Sequence, residues 1–434
     1  MGAGPAGLAV GYYAQKNGIP YKIYEALSQI GGGAVTIKWG DFLFDSGAHR
    51  FHNLYPEVTE ELTGLLGDDF KKINVPSQIY HHKKLIDFPL SPLNLIKNLG
   101  AAEFFKAGWE LLSAGLKKKP VNQDFESFAL RIYGKTVAEY FLLSYSEKLW
   151  GRPADELSLD ISGRRMKGLT FKTFILETIR GKKTKTEHLD GSFFYPKTGI
   201  GAISEKLGEF CGRDNILRNA KVTKILHDEK NICSMEINAN KRITVNLLVN
   251  TLPLNLFLGM LEPRPPEEIM LLAESLSFRD LILVAVFLNR DSVTKNATVY
   301  FPEAGFPFTR IYEQKNRSAF MSPVGKTSLV AEIPCSKGDK LWNKQDHELI
   351  QMVSQCLIQI GWIKEEHILG AETRRMPYAY PILELGYQEK IEKISAYLIR
   401  FNNLRLSGRN ARFVYAHIHD IMKSGKEIIE REAK

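Results

Sequence analysis

The chain opens on Gly2-Ala3-Gly4-Pro5-Ala6-Gly7, a G-x-G-x-x-G with almost nothing before it. The segments that follow turn this spacing into a constraint on the fold. Leu8 to Lys16 favours helix and Gly18 stops it; Tyr21-Lys22-Ile23-Tyr24 reads as a short strand ended by Glu25. Glycine turn, helix, strand and acid in that order are the marks of a parallel α/β unit that holds a dinucleotide. Gly2 permits the tight turn, Gly4 lets backbone approach a pyrophosphate, and Gly7 lets helix and strand pack closely. Ala6 sits in the first helical turn, whose free N–H groups and positive dipole end suit phosphates. Glu25, followed by Ala26, stands where a carboxylate accepts hydrogen bonds from a ribose. The first strand of such a unit should precede Gly2, and only Met1 is there. The expectation is therefore a Rossmann-like unit with its first strand missing, and with weakened anchoring of the phosphate turn.

Gly31-Gly32-Gly33 and Thr36 come next, so that Glu25 begins an E-x5-G-G-x-x-x-T pattern. This combination resembles the extended FAD fingerprint of the superfamily of amine oxidases, phytoene desaturases and protoporphyrinogen oxidases. The resemblance implies FAD held by Gly2, Gly4, Ala6, Gly7, Glu25, Ala26, Gly32, Gly33 and Thr36. The carboxylate of Glu25 also argues against NADP, whose extra phosphate it would repel.

Further segments carry the same resemblance along the chain. Phe42 to Asp45 alternates, turns at Ser46-Gly47, and presents His49-Arg50-Phe51-His52. This resembles the segment that approaches the flavin ring, which implies a place there for Gly47 and His49. The G-x-H-x-F-H form is also found in UDP-galactopyranose mutases. Taken alone, His49 reads equally as a hydrogen-bonded structural residue. From Pro76 to Asp190 the pattern turns to longer helices, over Leu90–Ile96, Ala101–Leu116 and Thr136–Lys148. The last leads into Lys148-Leu149-Trp150-Gly151, then Pro153, Leu157 and Arg164-Arg165. Trp150 reads as a core anchor and the arginines as surface charges, or the block is a substrate wall with Arg164 or Arg165 facing an anionic group.

Tyr195-Pro196-Lys197-Thr198-Gly199-Ile200-Gly201 resembles the return into the FAD domain, and a strand is expected over Ile216–Ile225. The resemblance puts backbone near Val222 beside the adenine. Val245–Pro253, Leu276–Phe287 and Thr327–Ile333 read as strands, and Pro377-Tyr378-Ala379-Tyr380-Pro381-Ile382 as a segment that lines a pocket or packs it. Leu404-Arg405-Leu406-Ser407-Gly408-Arg409, then Tyr415 and Asp420, resembles the C-terminal FAD motif. It implies Gly408, Arg409 and Asp420 at the cofactor, with Arg409 paired to the pyrophosphate. The acid that relatives carry falls at His419 here, with Asp420 next to it.

Composition narrows the remaining choices. The net charge of +9 is partly gathered in Lys117-Lys118-Lys119 and Lys182-Lys183-Thr184-Lys185. Solvated loops, an anionic substrate or an anionic membrane surface each account for it. Nucleic acid is disfavoured, since zinc-finger spacing, RNA-binding aromatic motifs and a long basic helix are all lacking. Peripheral membrane contact has no motif of its own. The four cysteines are scattered without a C-x-x-C pair, so no metal site is expected and a reduced, cytoplasmic setting fits. No apolar run of about 18 residues occurs to span a bilayer.

Together these readings predict a discontinuous α/β FAD-binding domain from 1–75, 190–260 and 395–434, and an α+β substrate domain from 76–189 and 261–394. The leading function is an oxidoreductase that takes a hydride from a small molecule, with an anionic one among the candidates. An alternative is a flavin-dependent sugar-nucleotide isomerase, with Tyr415 and Arg164 or Arg165 on the diphosphate. A third is a flavin-fold protein without catalysis. Catalytic candidates are His49, Arg164, Arg165 and Tyr415; the oligomeric state has no signal in the sequence.

Overall fold

The structure is a computed structural model that describes residues 1–88, 102, 106–107, 109–110, 124–165 and 192–433. Its largest sheet, among the described residues, has seven strands. They run in the order Ile368–Pro381, Phe278–Leu288, Thr327–Cys335, Arg310–Glu313, Thr298–Tyr300, Ser77–His81 and Lys84–Phe88. The central strand Phe278–Leu288 is buried on both faces because its two sets of alternate side chains enter different cores. Ile282, Val284 and Val286 meet Leu349, Val353 and Leu357 of the helix Asp346–Gln359. Leu283, Ala285 and Phe287 meet Phe42, Phe44, Tyr312 and Val330. A strand buried on both sides reads as a continuous apolar run rather than an alternating one, which is how Leu281–Leu288 stands in the sequence.

The glycine-rich start folds separately from that sheet. Ile23–Tyr24 pairs in parallel with Ile216–Leu217, and Leu248–Asn250 pairs in parallel with Leu404–Leu406. Met1 and Gly2 lie between these pairs. The amino group of Met1 donates to the Val249 carbonyl at 2.7 Å, and the Gly2 N–H donates to the Tyr24 carbonyl at 2.8 Å. Over this layer the helix Pro5–Lys16 crosses the C-terminal helix Ile418–Glu432. They approach so closely that a Cβ on Gly425 would stand 3.1 Å from that of Ala9. Val222–His227, Ile232–Ile237, Lys241–Thr244 and Leu261–Glu262 form a four-stranded sheet alongside.

Several expected elements are cut differently. The strand expected over Ile216–Ile225 is two strands, Ile216–Leu217 and Val222–His227, because the chain between them bends to serve the ribose-side loop. Asn219 takes a positive φ of 53°, and the N–H of Ala220 donates to the Glu25 carbonyl at 2.8 Å. The strand within Val245–Pro253 shrinks to Leu248–Asn250. The helix before Trp150 is interrupted at Gly134 and contains a π-helical turn over Glu139–Leu143. Residues 102, 106–107 and 109–110 are helical, within the helix expected over Ala101–Leu116. The rest of that helix, Leu90–Ile96 and both lysine runs lie outside the described residues. No helix among the described residues is long and apolar enough to cross a membrane.

Candidate active site

The first part of the site is made of backbone. Pro5 occupies the first helical position, and the first intrahelical bond runs from the Leu8 N–H to the Gly4 carbonyl at 3.0 Å. The N–H groups of Ala6 and Gly7 precede that bond and have no intrahelical partner, so they face out of the helix end. Glycine is required here by contact. A Cβ on Gly7 would lie 1.9 Å from the Gly2 carbonyl oxygen, and one on Gly32 would lie 3.0 Å from the Gly4 Cα. Gly408, at φ 90°, brings the C-terminal motif against the same turn, where an added Cβ would stand 2.8 Å from that of Ala6. The structure therefore gathers Gly2, Gly4, Ala6, Gly7, Gly32 and Gly408 into one cradle of bare backbone. That is the surface a dinucleotide pyrophosphate needs.

Glu25 is buried and braces this cradle. One carboxylate oxygen accepts the Ala3 N–H at 2.7 Å and the other the Leu27 N–H at 2.9 Å. Each oxygen retains a second acceptor site for a ribose hydroxyl. Ala26 is exposed beside it, and Val222 is buried two residues beyond the Ala220 contact. Thr36 is used internally: its hydroxyl donates to Asp45 at 2.7 Å and accepts from the Gly201 N–H at 2.9 Å.

The second part is made of side chains. Ser46–His52 turns back over the seven-stranded sheet, and its anchors are distant in sequence. Glu332, fully buried, accepts the Ala48 N–H at 2.7 Å on one oxygen and binds Arg310 with the other. Arg310 also donates to the Tyr380 hydroxyl at 2.9 Å. A Cβ on Gly47 would meet the His49 ring at 3.2 Å and Glu332 at 3.6 Å, which explains the glycine. His49 contacts the Gly33 carbonyl through Nε2 at 3.0 Å, so this turn touches the second glycine cluster. Burial, with Arg409, Arg310 and Arg317 nearby, pushes His49 down to about 3. The ring remains partly exposed on the crevice wall although protein surrounds it. It is neutral at physiological pH, and acts there as a hydrogen-bonding group. Below the turn, Asp45 binds Tyr195, Thr36 and the Ile200 N–H, and burial raises its carboxyl above the usual range.

The C-terminal corner is tied together by side chains. Arg409 spends its guanidinium on carbonyls: Nε and Nη2 donate to Ala416 at 3.0 and 2.7 Å, and Nη1 to Ala379 at 2.9 Å. It also lies over the Tyr380 and Tyr415 rings, 5.0 and 5.6 Å from their centroids. These bonds clamp the loop after Gly408 to the Pro377–Ile382 segment and use three of the five guanidinium N–H donors. Asp420 likewise closes the helix start: its carboxylate accepts the His417 N–H at 2.9 Å and the Tyr55 hydroxyl at 3.3 Å. His419 is buried among aromatic rings. Tyr415 stacks on Tyr380, centroids 6.1 Å apart, with Trp150 5.8 Å from Tyr380. Trp150 is thus both a core residue and the backing of that pair. Lys148, two residues earlier, donates to the Phe301 and Glu303 carbonyls at 2.9 Å, and burial presses its amine down to about 7. Arg164 and Arg165 end a short 3-10 helix, Leu159–Arg165, and their side chains lie outside the described residues.

Arg310, Glu332, Asp45, Arg317 and Tyr380 as a group escaped the sequence reading. The accessible signal was charge inside apolar strands: Glu332 interrupts Thr327–Cys335, and Arg310 opens a strand whose neighbours are buried.

A cradle of bare backbone at a helix N-terminus, a buried acid bracing it and a polar turn around His49 fit a dinucleotide cofactor such as a flavin. Residues 5–365 match the family described as flavin containing amine oxidoreductase, and the chain belongs to it. FAD is its cofactor. Protoporphyrinogen oxidase 2, chloroplastic/mitochondrial, of Arabidopsis thaliana is 22% identical over 260 residues, 56% of this chain and 51% of that protein. The chain thus spans about half the length of that relative. The structure of reduced UDP-galactopyranose mutase superposes with a TM-score of 0.87 at 19% identity, covering 99% of this chain and 94% of the other. A protein of Exiguobacterium sp. 255-15, described as a candidate protoporphyrinogen oxidase, gives 0.79 at 17% identity, covering 100% and 97%. Putrescine oxidase bound to putrescine gives 0.68 at 15% identity, covering 99% and 97%. These likenesses are of fold.

Proposed function

We propose that the chain is an FAD-dependent oxidoreductase that removes a hydride from a C–H bond, such as one next to an amine nitrogen, of a small molecule lying in the crevice beneath Ser46–His52. The observation that carries this reading is the contact of His49 with Gly33, which joins the polar crevice to the glycine cradle. When bound, FAD supplies the hydride-accepting ring. The helix end at Ala6 and Gly7, with Gly2, Gly4, Gly32, Gly33 and Gly408, holds the phosphates, and Glu25 takes the ribose. Neutral His49 offers a hydrogen bond beside the ring. Arg310 and Glu332 fix the turn, and Tyr380 and Tyr415 close the crevice to water. Segments 1–75, 190–260 and 395–434 form the cofactor domain in this reading, and 76–189 with 261–394 the substrate domain. The strand pairing supports it: among the described residues the seven-stranded sheet draws on residues 77–88 and 278–381.

The Gly47-x-His49-x-Phe51-His52 segment and the charged crevice floor favour a second reading, a flavin-dependent isomerase of a sugar nucleotide. Anaerobic mixing separates the two. An amine or a porphyrinogen that bleaches the bound flavin, with oxygen uptake on admission of air, supports the oxidoreductase. Turnover of a UDP-sugar only after prior chemical reduction, with no bleaching by any reductant substrate, overturns it in favour of the isomerase. Colourless protein that takes up no FAD overturns both.

A further inference from the structure

The rim beside Glu25 carries two side chains that the site described above does not use. Leu27 is 64% exposed, two residues beyond the acid at the ribose position. Arg218 is exposed, and its one hydrogen bond among the described residues runs from Nη1 to the Ser28 carbonyl at 3.4 Å. Most of its N–H donors are therefore unspent and face solvent.

Backbone hydrogen bonds hold these two side chains in one place. The Glu25 N–H donates to the Leu217 carbonyl at 2.8 Å, the Ala220 N–H to the Glu25 carbonyl at 2.8 Å, and the Asn219 N–H to the Leu27 carbonyl at 3.1 Å. The loop Glu25–Ser28 and the turn Leu217–Ala220 are thus laced together. Asn219, at φ 53°, turns the chain between the two strands, and Arg218 stands next to it. Ala220 and Val222 are buried where the chain enters the following strand. The rim is fixed by main chain, while its two longest exposed side chains have no packing of their own to serve.

A single exposed leucine carries no message, because folded surfaces are largely apolar. Position gives this one a meaning. The Leu27 N–H donates to a Glu25 carboxylate oxygen at 2.9 Å, so the residue begins at the group that takes the ribose. A base bonded to that ribose emerges over the rim that Leu27 and Arg218 share. A purine presents two flat apolar faces. An aliphatic side chain covers such a face, and a guanidinium stacks on one while its edge keeps its hydrogen bonds to water.

We propose that Leu27 and Arg218 clasp the adenine of FAD, the leucine side chain covering the base and the guanidinium stacking on it. The clasp sets a preference for the adenine dinucleotide that neither the glycine cradle nor Glu25 can supply, since those hold only phosphate and sugar. This inference rests on FAD as the cofactor and is independent of what the flavin oxidises.

The test uses apoprotein prepared from the purified full chain. It is titrated with FAD and with the flavin dinucleotide in which cytosine replaces adenine, and binding is followed by flavin fluorescence. The parent should bind FAD several-fold tighter than the cytosine analogue, because the smaller base fills less of the clasp. Leu27→Ser and Arg218→Ala should each weaken FAD binding roughly fivefold, and the double variant at least tenfold. The cytosine analogue should lose much less, so that the base preference collapses in the double variant. Both side chains are exposed, so the melting temperature of the apoprotein should stay that of the parent. FAD binding by the double variant equal to the parent's overturns the inference, as does an equal loss for both dinucleotides. A parent that binds both dinucleotides equally well overturns it too and leaves the functional reading intact. A parent that takes up neither overturns the two together.

Discussion

The two halves of the site are built on opposite principles. The cradle around Gly2, Gly4, Gly7, Gly32 and Gly408 works by the absence of side chains. Backbone meets backbone there, as in the 1.9 Å that would separate a Gly7 Cβ from the Gly2 oxygen. The crevice around His49 works by the presence of side chains, joined over long sequence distances, such as Ala48 to Glu332 across 284 positions. A substitution at the first should act through volume, and one at the second through charge and lost hydrogen bonds. The same fold thus offers a way to separate cofactor retention from crevice chemistry.

The largest expected effect is Gly4→Val. Its Cβ is tolerated, 3.7 Å from the Gly32 Cα, but its methyl groups branch into the space the pyrophosphate needs. Flavin should be lost while the far-ultraviolet circular dichroism is kept; a variant as yellow as the parent would show that this turn is not the phosphate site. Glu332→Gln comes next. It keeps the shape and removes the countercharge of buried Arg310, and breaking a buried pair costs about 3–5 kcal/mol. Urea unfolding followed by tryptophan fluorescence should show a loss of that order. A loss below about 1 kcal/mol would mean the crevice is not held by charge.

Arg409→Ala is a smaller perturbation, since the guanidinium acts on the cofactor through the loop it clamps. Removing hydrogen bonds from a charged group costs about 1.5–3 kcal/mol, so FAD affinity should fall roughly tenfold or more. Arg409→Lys should recover little, because one ammonium cannot serve Ala416 and Ala379 in the same plane. The contrast is Arg405→Ala, whose partly exposed pair with Glu432 is worth at most about 1 kcal/mol. Equal losses for Arg405→Ala and Arg409→Ala would reduce the clamp to general damage of the strand.

A separate prediction concerns pH dependence. His49 titrates near 6.5 in the unfolded chain and at about 3 in the fold. Between those values the unfolded state holds the extra proton, so stability falls as pH drops from 6.5 towards 3. His49→Gln should lose less melting temperature than the parent between pH 7 and pH 4. The same decline in both would place the acid sensitivity in other groups.

Legibility in the sequence follows the same division. Cradle residues declared themselves because glycine spacing is local and its steric reason is visible at each position. The C-terminal motif was legible as a motif, but the clamp that Arg409 makes within the protein was not. Nothing in Gly408-Arg409 reveals that the Ala416 and Ala379 carbonyls fold within its reach. The crevice stayed hidden for a stronger reason. Arg310, Glu332 and Tyr380 become neighbours only through sheet register, which pairs Arg310 with Glu332 across adjacent strands. Expected strand ends failed where tertiary hydrogen bonds took over, as at Ala220, whose N–H leaves the strand to bind the Glu25 carbonyl.

The central claim is that one cofactor joins the two halves, with its phosphates in the glycine cradle and its ring at the His49 turn. A crystal structure of the FAD-loaded protein tests this most directly. The account predicts pyrophosphate oxygens within hydrogen-bond distance of the Ala6 and Gly7 N–H groups, and the ring in contact with Gly47–His49. Density for FAD with its ring turned away from Ser46–His52, or with its phosphates outside the Gly2–Gly7 turn, would contradict it.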